Sequence, residues 1–335
     1  MENPTKIKLA VALGAAALAR HLVRRSRTID LRDKVVLVTG GSRGLGLVLA
    51  RQLVERGAKV AICARDHQEL GRARLDLVAR GGHVLAIPCD VTDRDDMLGM
   101  VTQIHDDLGP IDVLVNNASV IQVGPVDSMT LEDYERAMAT HYWAPLYAIL
   151  AVVPEMRRSR AGRIVNIASI GGKIAMPHLL PYSASKFALV GLSAGLRAEL
   201  AQDGIVVTTV CPGLMRTGSP TNAMFKGDHA KEYNWFSVSD SLPLTSMNAE
   251  RAARQILDAC CRGDAEVVLS IQARVAVKLY ALFPSLSQNV LGMVDRLLPK
   301  GVSKQSMRGR DVGSPLAKSI LTMLTEQAAR RNNEV

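Results

Sequence analysis

Residues 34–46 read KVVLVTGGSRGLG, a β-branched run that passes directly into a glycine-rich turn. The run Val35–Val38 is typical of a short strand buried on both faces of a parallel sheet. Leu45 to Arg56 shows the helical spacing of apolar residues, and Gly57 marks its end. Strand, glycine turn and helix in this order predict a phosphate site, because free N–H groups and the dipole at a helix N-terminus favour an anion.

Short strands and helices alternate through most of the remaining chain. Further strands are predicted at 59–63, 84–88, 111–115, 163–168 and 206–210, and further helices at 67–80, 97–108, 134–156 and 181–201. This alternation predicts an α/β fold, a Rossmann-type doubly wound parallel sheet whose ligand crevice lies at the carboxyl ends of the strands. Nothing within 33–270 has the composition of a linker, so these residues are expected to form a single domain.

Two extensions flank this domain. Residues 1–32 carry basic residues around an apolar run, 9–19, which is shorter than the roughly 20 residues that span a bilayer. The run predicts either an N-terminal helix lying on a membrane surface or an Ala-rich helix packed on the body or on a partner. Residues 271–335 contain two apolar helical stretches separated at Pro284, then a basic tail expected to be loose except for a short helix near 315–330.

The net charge of +9 is confined to the two ends of the sequence. Residues 1–34 hold eight Lys or Arg against three acidic residues, and residues 300–335 hold seven against three, which leaves the body neutral. The neutral body, together with an aromatic content of only 4% over the whole sequence, disfavours nucleic-acid binding, which needs basic grooves and exposed rings. The five cysteines are odd in number and lack metal-ligand spacing, which predicts no metal site and a reduced compartment, the cytoplasm or the cytoplasmic side of a membrane.

Further motifs resemble those of the classical short-chain dehydrogenase/reductase (SDR) family. They follow the family's order over about residues 33–220: the turn TG-xxx-G-x-G, Asn116-Asn117-Ala118, Ser169, Tyr182-xxx-Lys186, and Pro212-Gly213 with Thr217. The resemblance implies an oxidoreductase that moves a hydride between a nicotinamide cofactor and a carbonyl or alcohol. It also implies a homo-oligomer, the usual state of the family's members.

Ser169, Tyr182 and Lys186 are the predicted catalytic trio. Tyr182 and Lys186 are four residues apart on a helix and therefore share one face. A free tyrosine has a pKa of about 10, and we expect the ammonium group and the positive charge of the oxidised nicotinamide to lower it. Tyr182 would then act as general acid in reduction and as base in oxidation, while Ser169 donates a hydrogen bond to the substrate oxygen. The resemblance implies that Lys186 also holds the ribose hydroxyls.

His141 and Ser119 depart from the family's pattern. His141 stands where the long helix normally carries an Asn that helps a water relay behind the lysine. A histidine can bind a water and titrates near neutrality, so His141 is a candidate catalytic residue; a purely structural histidine is the alternative. Ser119 stands where the family usually has Gly, and it would crowd the nicotinamide side.

The residues after the second strand predict the cofactor. Ala64 stands where NAD-preferring members carry an acid for the ribose 2′-hydroxyl, and Arg65 follows it. A guanidinium matches a 2′-phosphate, which Arg43 in the glycine turn can also reach, so NADP(H) is favoured over NAD(H). Asp90 resembles an adenine-contacting residue, or serves as a helix N-terminal acid. The predicted cofactor-binding residues are Gly40, Ser42, Arg43, Gly44, Leu45, Gly46, Arg65, Asp90, Val91, Asn117, Ala118, Tyr182, Lys186, Pro212, Gly213 and Thr217.

In the family, the segment after Pro212-Gly213 closes over the substrate, and here it is expected to span residues 214–244. It is rich in large apolar side chains, namely Met215, Met224, Phe225, Trp235 and Phe236. They predict a lipophilic long-chain, steroid-like or retinoid-like carbonyl, unless they pack on the domain or a dimer mate.

The predicted function is an NADPH-dependent carbonyl reductase or alcohol dehydrogenase of lipophilic ketones or aldehydes. Alternatives within the same chemistry are a hydroxysteroid- or retinol-type dehydrogenase and a 3-oxoacyl reductase acting on carrier thioesters. An NADP-binding scaffold without enzyme activity is the alternative of another class, and the intact trio argues against it.

Overall fold

The computed structural model describes residues 28–242, 246–313 and 322–334. Within these ranges the strands are β1 (Val35–Thr39), β2 (Lys59–Ala64), β3 (His83–Pro88), β4 (Val113–Asn116), β5 (Gln122–Val123), β6 (Gly162–Ile167), β7 (Ile205–Cys211), β8 (Leu214–Arg216), β9 (Met224–Phe225), β10 (Ser246–Asn248), β11 (Glu266–Val268) and β12 (Met307–Arg308). The helix predicted within residues 1–27 lies outside the described residues.

The helices of the same ranges are α1 (Gly44–Glu55), α2 (His67–Ala79), α3 (Arg94–Leu108), α4 (Leu131–Met138), α5 (Ala144–Ser159), α6 (Leu180–Glu199), α7 (Ser219–Asn222), α8 (His229–Ser241), α9 (Ala249–Arg262), α10 (Ile271–Leu282), α11 (Pro284–Leu297) and α12 (Met323–Arg331). Helix α11 begins at Pro284, the position where the sequence predicts a break. None of these helices is both long enough and apolar enough to cross a bilayer.

Seven strands form one parallel sheet in the order β3-β2-β1-β4-β6-β7-β11. The chain runs outward from β1 to β3 and then returns to the other side of β1, so that a crevice opens where the carboxyl ends of β1 and β4 meet. The predicted α/β fold with a doubly wound parallel sheet is confirmed. Strand β11 is one that the sequence did not predict.

Strand β1 directs successive side chains to opposite faces of the sheet. Val36 and Val38 join the apolar core formed with α1, α2 and α9, whereas Val35 and Leu37 join the core formed with α3 and α5. Both faces are therefore covered by helices, which explains why the strand is a continuous apolar run and not an alternating one.

The single helix predicted over residues 134–156 is divided in the structure. A π-helical turn, Ala139–Trp143, separates α4 from α5. Pro145 lies in the first turn of α5 and has no N–H to donate to the turn before it, which accounts for the change in hydrogen bonding.

The expectation of a loose tail after residue 300 is wrong for the described part of it. Strand β12 pairs antiparallel with β9, and Asn332 and Glu334 are only 1% and 6% exposed. Both are polar residues, but they are buried and hydrogen-bonded to elements distant in sequence, which a sequence pattern does not reveal. Of the helix predicted near 315–330, α12 begins at Met323, and residues 314–321 lie outside the described ranges.

Candidate active site and cofactor crevice

A crevice with a volume of about 700 Å³ runs along the carboxyl ends of the parallel strands. All sixteen predicted cofactor-binding residues line it, and so does Ser169. His141 is not among the lining residues. The volume lies within the range of small-molecule sites in proteins. The crevice therefore brings the glycine turn and the predicted catalytic trio into one cavity.

The glycine turn requires its glycines for steric reasons. Gly40 and Gly44 have positive φ angles of 63° and 55°. A Cβ at Gly46 would overlap the main-chain oxygen of Gly40. The N-cap of α1 is Arg43, whose side chain makes no hydrogen bond to the first turn, so no N-cap side chain competes with a ligand for the main-chain N–H groups there. This cradle fits the pyrophosphate of a dinucleotide.

Asn117 holds the ends of β1 and β4 together. Its Nδ2 donates hydrogen bonds to the main-chain oxygens of Thr39 (3.0 Å) and Gly40 (3.1 Å). In return, the hydroxyl of Thr39 accepts hydrogen bonds from the main-chain N–H groups of Asn117 and Ala118. The side chain predicted to contact the cofactor thus also fixes the shape of the glycine turn.

The catalytic trio is assembled from the end of β6 and from α6. Lys186 donates a hydrogen bond of 2.9 Å from Nζ to the main-chain oxygen of Ile167, and this nitrogen lies 5.7 Å from the centre of the Tyr182 ring. Ser169 caps the turn after β6, where its Oγ accepts a hydrogen bond from the main-chain N–H of Gly171. The three side chains line the same cavity.

Lys186 alone does not lower the pKa of Tyr182 in the described chain; the part of the expectation that rests on an oxidised nicotinamide stays a prediction. Burial raises the pKa of Tyr182 above its ordinary value, although a hydrogen bond with Ser169 opposes the shift. Burial also lowers the pKa of Lys186 to about 7, so the lysine carries only part of its charge at neutral pH. The sequence showed that Tyr182 and Lys186 lie side by side, but it did not show how deeply they are buried. Desolvation disfavours both the phenolate and the ammonium.

His141 lies behind the trio, fully buried within the π-helical turn. Its Nε2 accepts a hydrogen bond from the main-chain N–H of Val120 (3.2 Å) and lies 2.9 Å from Oγ of Ser119. Its Nδ1 lies 2.7 Å from Oγ of Ser185. Burial, and then the charge of Lys186, hold the pKa of His141 well below its ordinary value, so the imidazole stays neutral near pH 7. These contacts fit the structural alternative and not a group that titrates near neutrality.

The two arginines predicted to bind a 2′-phosphate lie at the same end of the crevice. Arg43 forms an ion pair of 2.7 Å with Glu69, and Arg65 lies 4.0 Å from Asp90. Asp90 also accepts hydrogen bonds from Thr92 through Oδ1, so it closes the turn before α3. The sequence did not indicate Glu69, which neutralises part of the positive charge of this end.

The aromatic residues of the 214–244 segment do not line the crevice. Phe225 and Phe236 belong to a small separate core with Tyr233, and Trp235 packs against it. This outcome matches the alternative of packing on the domain, because the segment folds into α8 and buries its own rings. Met215 and Met224 do reach the crevice.

Several lining residues come from parts of the chain that carry no recognisable motif. Arg308 and Glu334 reach the crevice from beyond residue 300. Asp240 is buried on α8, and its charge raises the pKa of Tyr182. Only the folded chain brings these residues to the site, and no local sequence signal could have indicated them.

Comparison with known proteins agrees with this geometry. The sequence profile of short chain dehydrogenases matches residues 34–225. A protein of Anopheles gambiae described as dehydrogenase/reductase SDR family protein 7-like is 34% identical over 286 residues, which cover 84% of this chain and 86% of the relative. The chain belongs to the short-chain dehydrogenase/reductase family, a family of nicotinamide-dependent oxidoreductases.

Solved structures show the same relationship. A short-chain dehydrogenase from Streptomyces avermitilis is 29% identical, with a TM-score of 0.68, and the match covers 78% of this chain and 97% of that one. An actinorhodin polyketide ketoreductase solved with NADPH is also 29% identical, with a TM-score of 0.64 and coverage of 70% and 95%. Both matches cover most of this chain and nearly all of the solved one, so they show the same fold.

Proposed function

We propose that this protein is an NADP(H)-dependent carbonyl reductase or alcohol dehydrogenase that acts on lipophilic ketones or aldehydes. One observation carries the proposal: Ser169, Tyr182 and Lys186 line the same cavity as the glycine turn and the N-terminus of α1. A cofactor held by the glycine turn would thereby reach the phenol of Tyr182 within one crevice.

The side chains divide the work of the reaction. Tyr182 gives its proton to the carbonyl oxygen in reduction and takes it back in oxidation. Ser169 donates a hydrogen bond to the same oxygen, where negative charge develops. Lys186 holds the ribose hydroxyls. The bound nicotinamide would supply or accept the hydride and, when oxidised, add a positive charge beside the phenol.

The preference for NADP(H) rests on charge at the adenosine end. Ala64 offers no carboxylate for a ribose 2′-hydroxyl, while Arg43 and Arg65 offer guanidinium groups to a 2′-phosphate.

Replacing Arg65 by Ala should weaken NADPH binding by about tenfold and NADH binding little, since a hydrogen bond to a charged group contributes about 1.5–3 kcal/mol. Titration of both cofactors by fluorescence tests this, and equal losses for both would contradict it.

The lipophilic substrate is supported by the apolar wall of the crevice, which includes Ile121, Met215 and Met224. The test is NADPH oxidation against ketones and aldehydes of increasing chain length, with the wild type and with Tyr182→Phe. We expect kcat/KM to rise with chain length and to fall by about 10²–10⁴ in the variant. Tyr147→Phe, outside the crevice, is the matched control. A wild type that binds NADPH but reduces none of the carbonyls would favour the scaffold.

A 3-oxoacyl reductase is the second candidate, supported by polar groups on the crevice wall. Arg136 is 48% exposed at its side chain and donates a hydrogen bond to Oε1 of Gln122. Nε2 of Gln122 is buried and has no hydrogen-bond partner among the described residues. Arg136 also forms an ion pair of 3.1 Å with Asp133, but its exposed guanidinium could still contact an acidic carrier. Activity on a 3-oxoacyl thioester that is lost in Arg136→Glu, with free ketones unaffected, would establish it.

We also propose that the protein contacts a membrane surface through α10 and α11. The two helices expose large apolar side chains, from Ile271 at 74% to Leu297 at 86%. The basic residues Lys278 and Arg296 lie on the same helices and would attract anionic headgroups. We propose that this contact is made with the cytoplasmic leaflet, which carries anionic lipids.

Flotation with phosphatidylcholine/phosphatidylserine vesicles at low salt tests the membrane contact. The wild type should float, and Leu279→Asp combined with Leu286→Asp should not. Leu75→Asp, which changes a leucine that is 67% exposed on α2, is the matched control. A wild type that stays at the bottom of the gradient would refute the contact.

A homo-oligomer is proposed as well. Helices α3 and α5 pack side by side and expose Leu98 and Leu150 respectively. Sedimentation equilibrium should show a dimer or tetramer for the wild type and dissociation for Leu150→Asp. A wild type that is monomeric at micromolar concentration would exclude the assembly.

A further inference from the structure

Residues 332–334 lie on the glycine turn. The main-chain N–H of Gly44, the first residue of α1, donates a hydrogen bond of 2.9 Å to the main-chain oxygen of Asn332. Nδ2 of Asn333 donates to the main-chain oxygens of Ser42 (2.8 Å) and Glu69 (2.9 Å). The last described residues of the chain are thus bonded to the turn predicted to hold phosphate.

Glu334 covers the surface that the glycine leaves open. Its Oε1 lies 2.5 Å from the position that a Cβ on Gly44 would occupy. Nδ2 of Asn222 donates two hydrogen bonds of 3.1 Å to Glu334, one to its main-chain oxygen and one to Oε2 of its carboxyl group. A carboxyl group therefore lies against the N-terminus of α1, between the turn and α7.

Side chains of α1 and α2 hold the segment from the other side. Arg51 donates to Oδ1 of Asn332 (3.0 Å) and to the main-chain oxygen of Arg331 (2.9 Å). Nε of Arg72 donates to Oδ1 of Asn333 (2.7 Å). Contacts to the turn, α1, α2 and α7 together fix a short polar segment that has no apolar anchor of its own.

These contacts use the features that a dinucleotide would need. A pyrophosphate binds at a helix N-terminus by accepting from main-chain N–H groups and by lying close to glycine. Here the main-chain oxygen of Asn332 accepts a hydrogen bond from the Gly44 N–H. The carboxyl group of Glu334 lies next to Gly44, where a phosphate would otherwise pack. A phosphate oxygen and a carboxylate oxygen cannot occupy one position.

We infer that residues 332–334 are an intramolecular ligand of the phosphate site and that a dinucleotide binds only after they have left it. The inference rests on the proposed cofactor site. The segment competes with the cofactor, so the apparent dissociation constant rises by the inverse of the fraction of molecules in which the site is open. The chain thereby limits its own cofactor occupancy.

Asn333→Ala tests the competition, because it removes the three hydrogen bonds of that side chain and places Ala at a φ of +59°. We expect the dissociation constants of both NADPH and NADH to fall at least about fivefold. A chain ending at Arg331 should show the same gain or a larger one. Arg330→Ala is the matched control, since this arginine is exposed and next to the segment, and it should leave both constants unchanged.

Hydrogen exchange provides a readout independent of turnover. The peptide that includes residues 332–334 should be protected in the wild type and lose protection when NADPH saturates the protein. Unchanged dissociation constants in both tail variants, or protection that persists at saturation, would overturn the inference while leaving the cofactor site in place. If no variant binds either dinucleotide, the proposed function fails together with the inference.

Discussion

The ammonium nitrogen of Lys186 lies 2.9 Å from the main-chain oxygen of Ile167, the last residue of β6. This hydrogen bond ties α6 to the sheet and fixes the lysine beside Tyr182. The side chain of Lys186 is buried, and burial lowers its pKa to about 7. The site therefore places a cation where its charge opposes stability.

Replacing Lys186 by Met should separate activity from stability. An unfolded lysine keeps its proton up to about pH 10.4, whereas the folded one loses it near 7, so the stability of the wild type rises with pH across this window. We expect the variant to be more stable than the wild type by about 1–4 kcal/mol at pH 6, and its kcat/KM to fall by about 10²–10⁴. Urea unfolding and steady-state rates measure the two effects; a variant less stable at pH 6 would contradict the argument.

His141→Ala should change stability and leave the shape of the pH profile unchanged. The variant loses the acceptor for the Val120 N–H and the contact with Ser185, which should cost about 1–3 kcal/mol. Burial holds the pKa of His141 well below its ordinary value, so the pKa values in the pH–rate profile should not move. His141→Asn, which retains an acceptor, should lose less stability. An apparent pKa that disappears from the profile would instead assign a proton role to this histidine.

Asp240→Asn should stabilise the protein at alkaline pH. Burial raises the pKa of Asp240 to about 8, and the nearby charge of Glu334 adds to the shift. The folded state thus keeps a proton that the unfolded chain loses near pH 4, so stability falls as pH rises from about 4 to 8. We expect the variant to be more stable by about 1–3 kcal/mol at pH 8.5 and equal to the wild type below pH 4. A smaller free energy of unfolding at pH 8.5 would disprove this account.

Docking of residues 332–334 should depend on pH through Glu334. Burial raises the pKa of its carboxyl group to about 7, the charge of Glu69 acts in the same direction, and Asn222 and Arg43 oppose the shift. A glutamate released into water titrates near 4.3. Docking therefore takes up a proton between these values, and it weakens as pH rises through 7.

The corresponding measurement is the dissociation constant of NADH, which lacks a 2′-phosphate, from pH 5.5 to 8. The ratio of the wild-type constant to that of Asn333→Ala should decrease with pH. With Glu334→Gln in place of the wild type, the ratio should not change with pH. A wild-type ratio that is constant over this range would show that Glu334 does not control docking.

Local sequence patterns were sufficient for six of the seven strands of the parallel sheet and for most of the crevice. The run Val35–Val38, the glycine turn and the Tyr182-xxx-Lys186 spacing each depend on neighbours within a few residues, through strand burial, main-chain sterics and helix periodicity. The expected crevice residues follow, because parallel strands bring their carboxyl ends to one edge. The family assignment rested on these same motifs.

The protonation of the trio and the place of the tail were decided only by the tertiary structure. A pKa depends on which groups exclude water, and Tyr182, Lys186 and His141 are buried by elements far apart in sequence. The main-chain oxygen of Asn332 accepts a hydrogen bond from the Gly44 N–H, and the carboxyl group of Glu334 packs against Gly44. Contacts between residues so far apart in sequence leave no periodic pattern in it. The sequence by itself determined what the crevice is built from; the folded chain determined how those groups are charged and what lies in it.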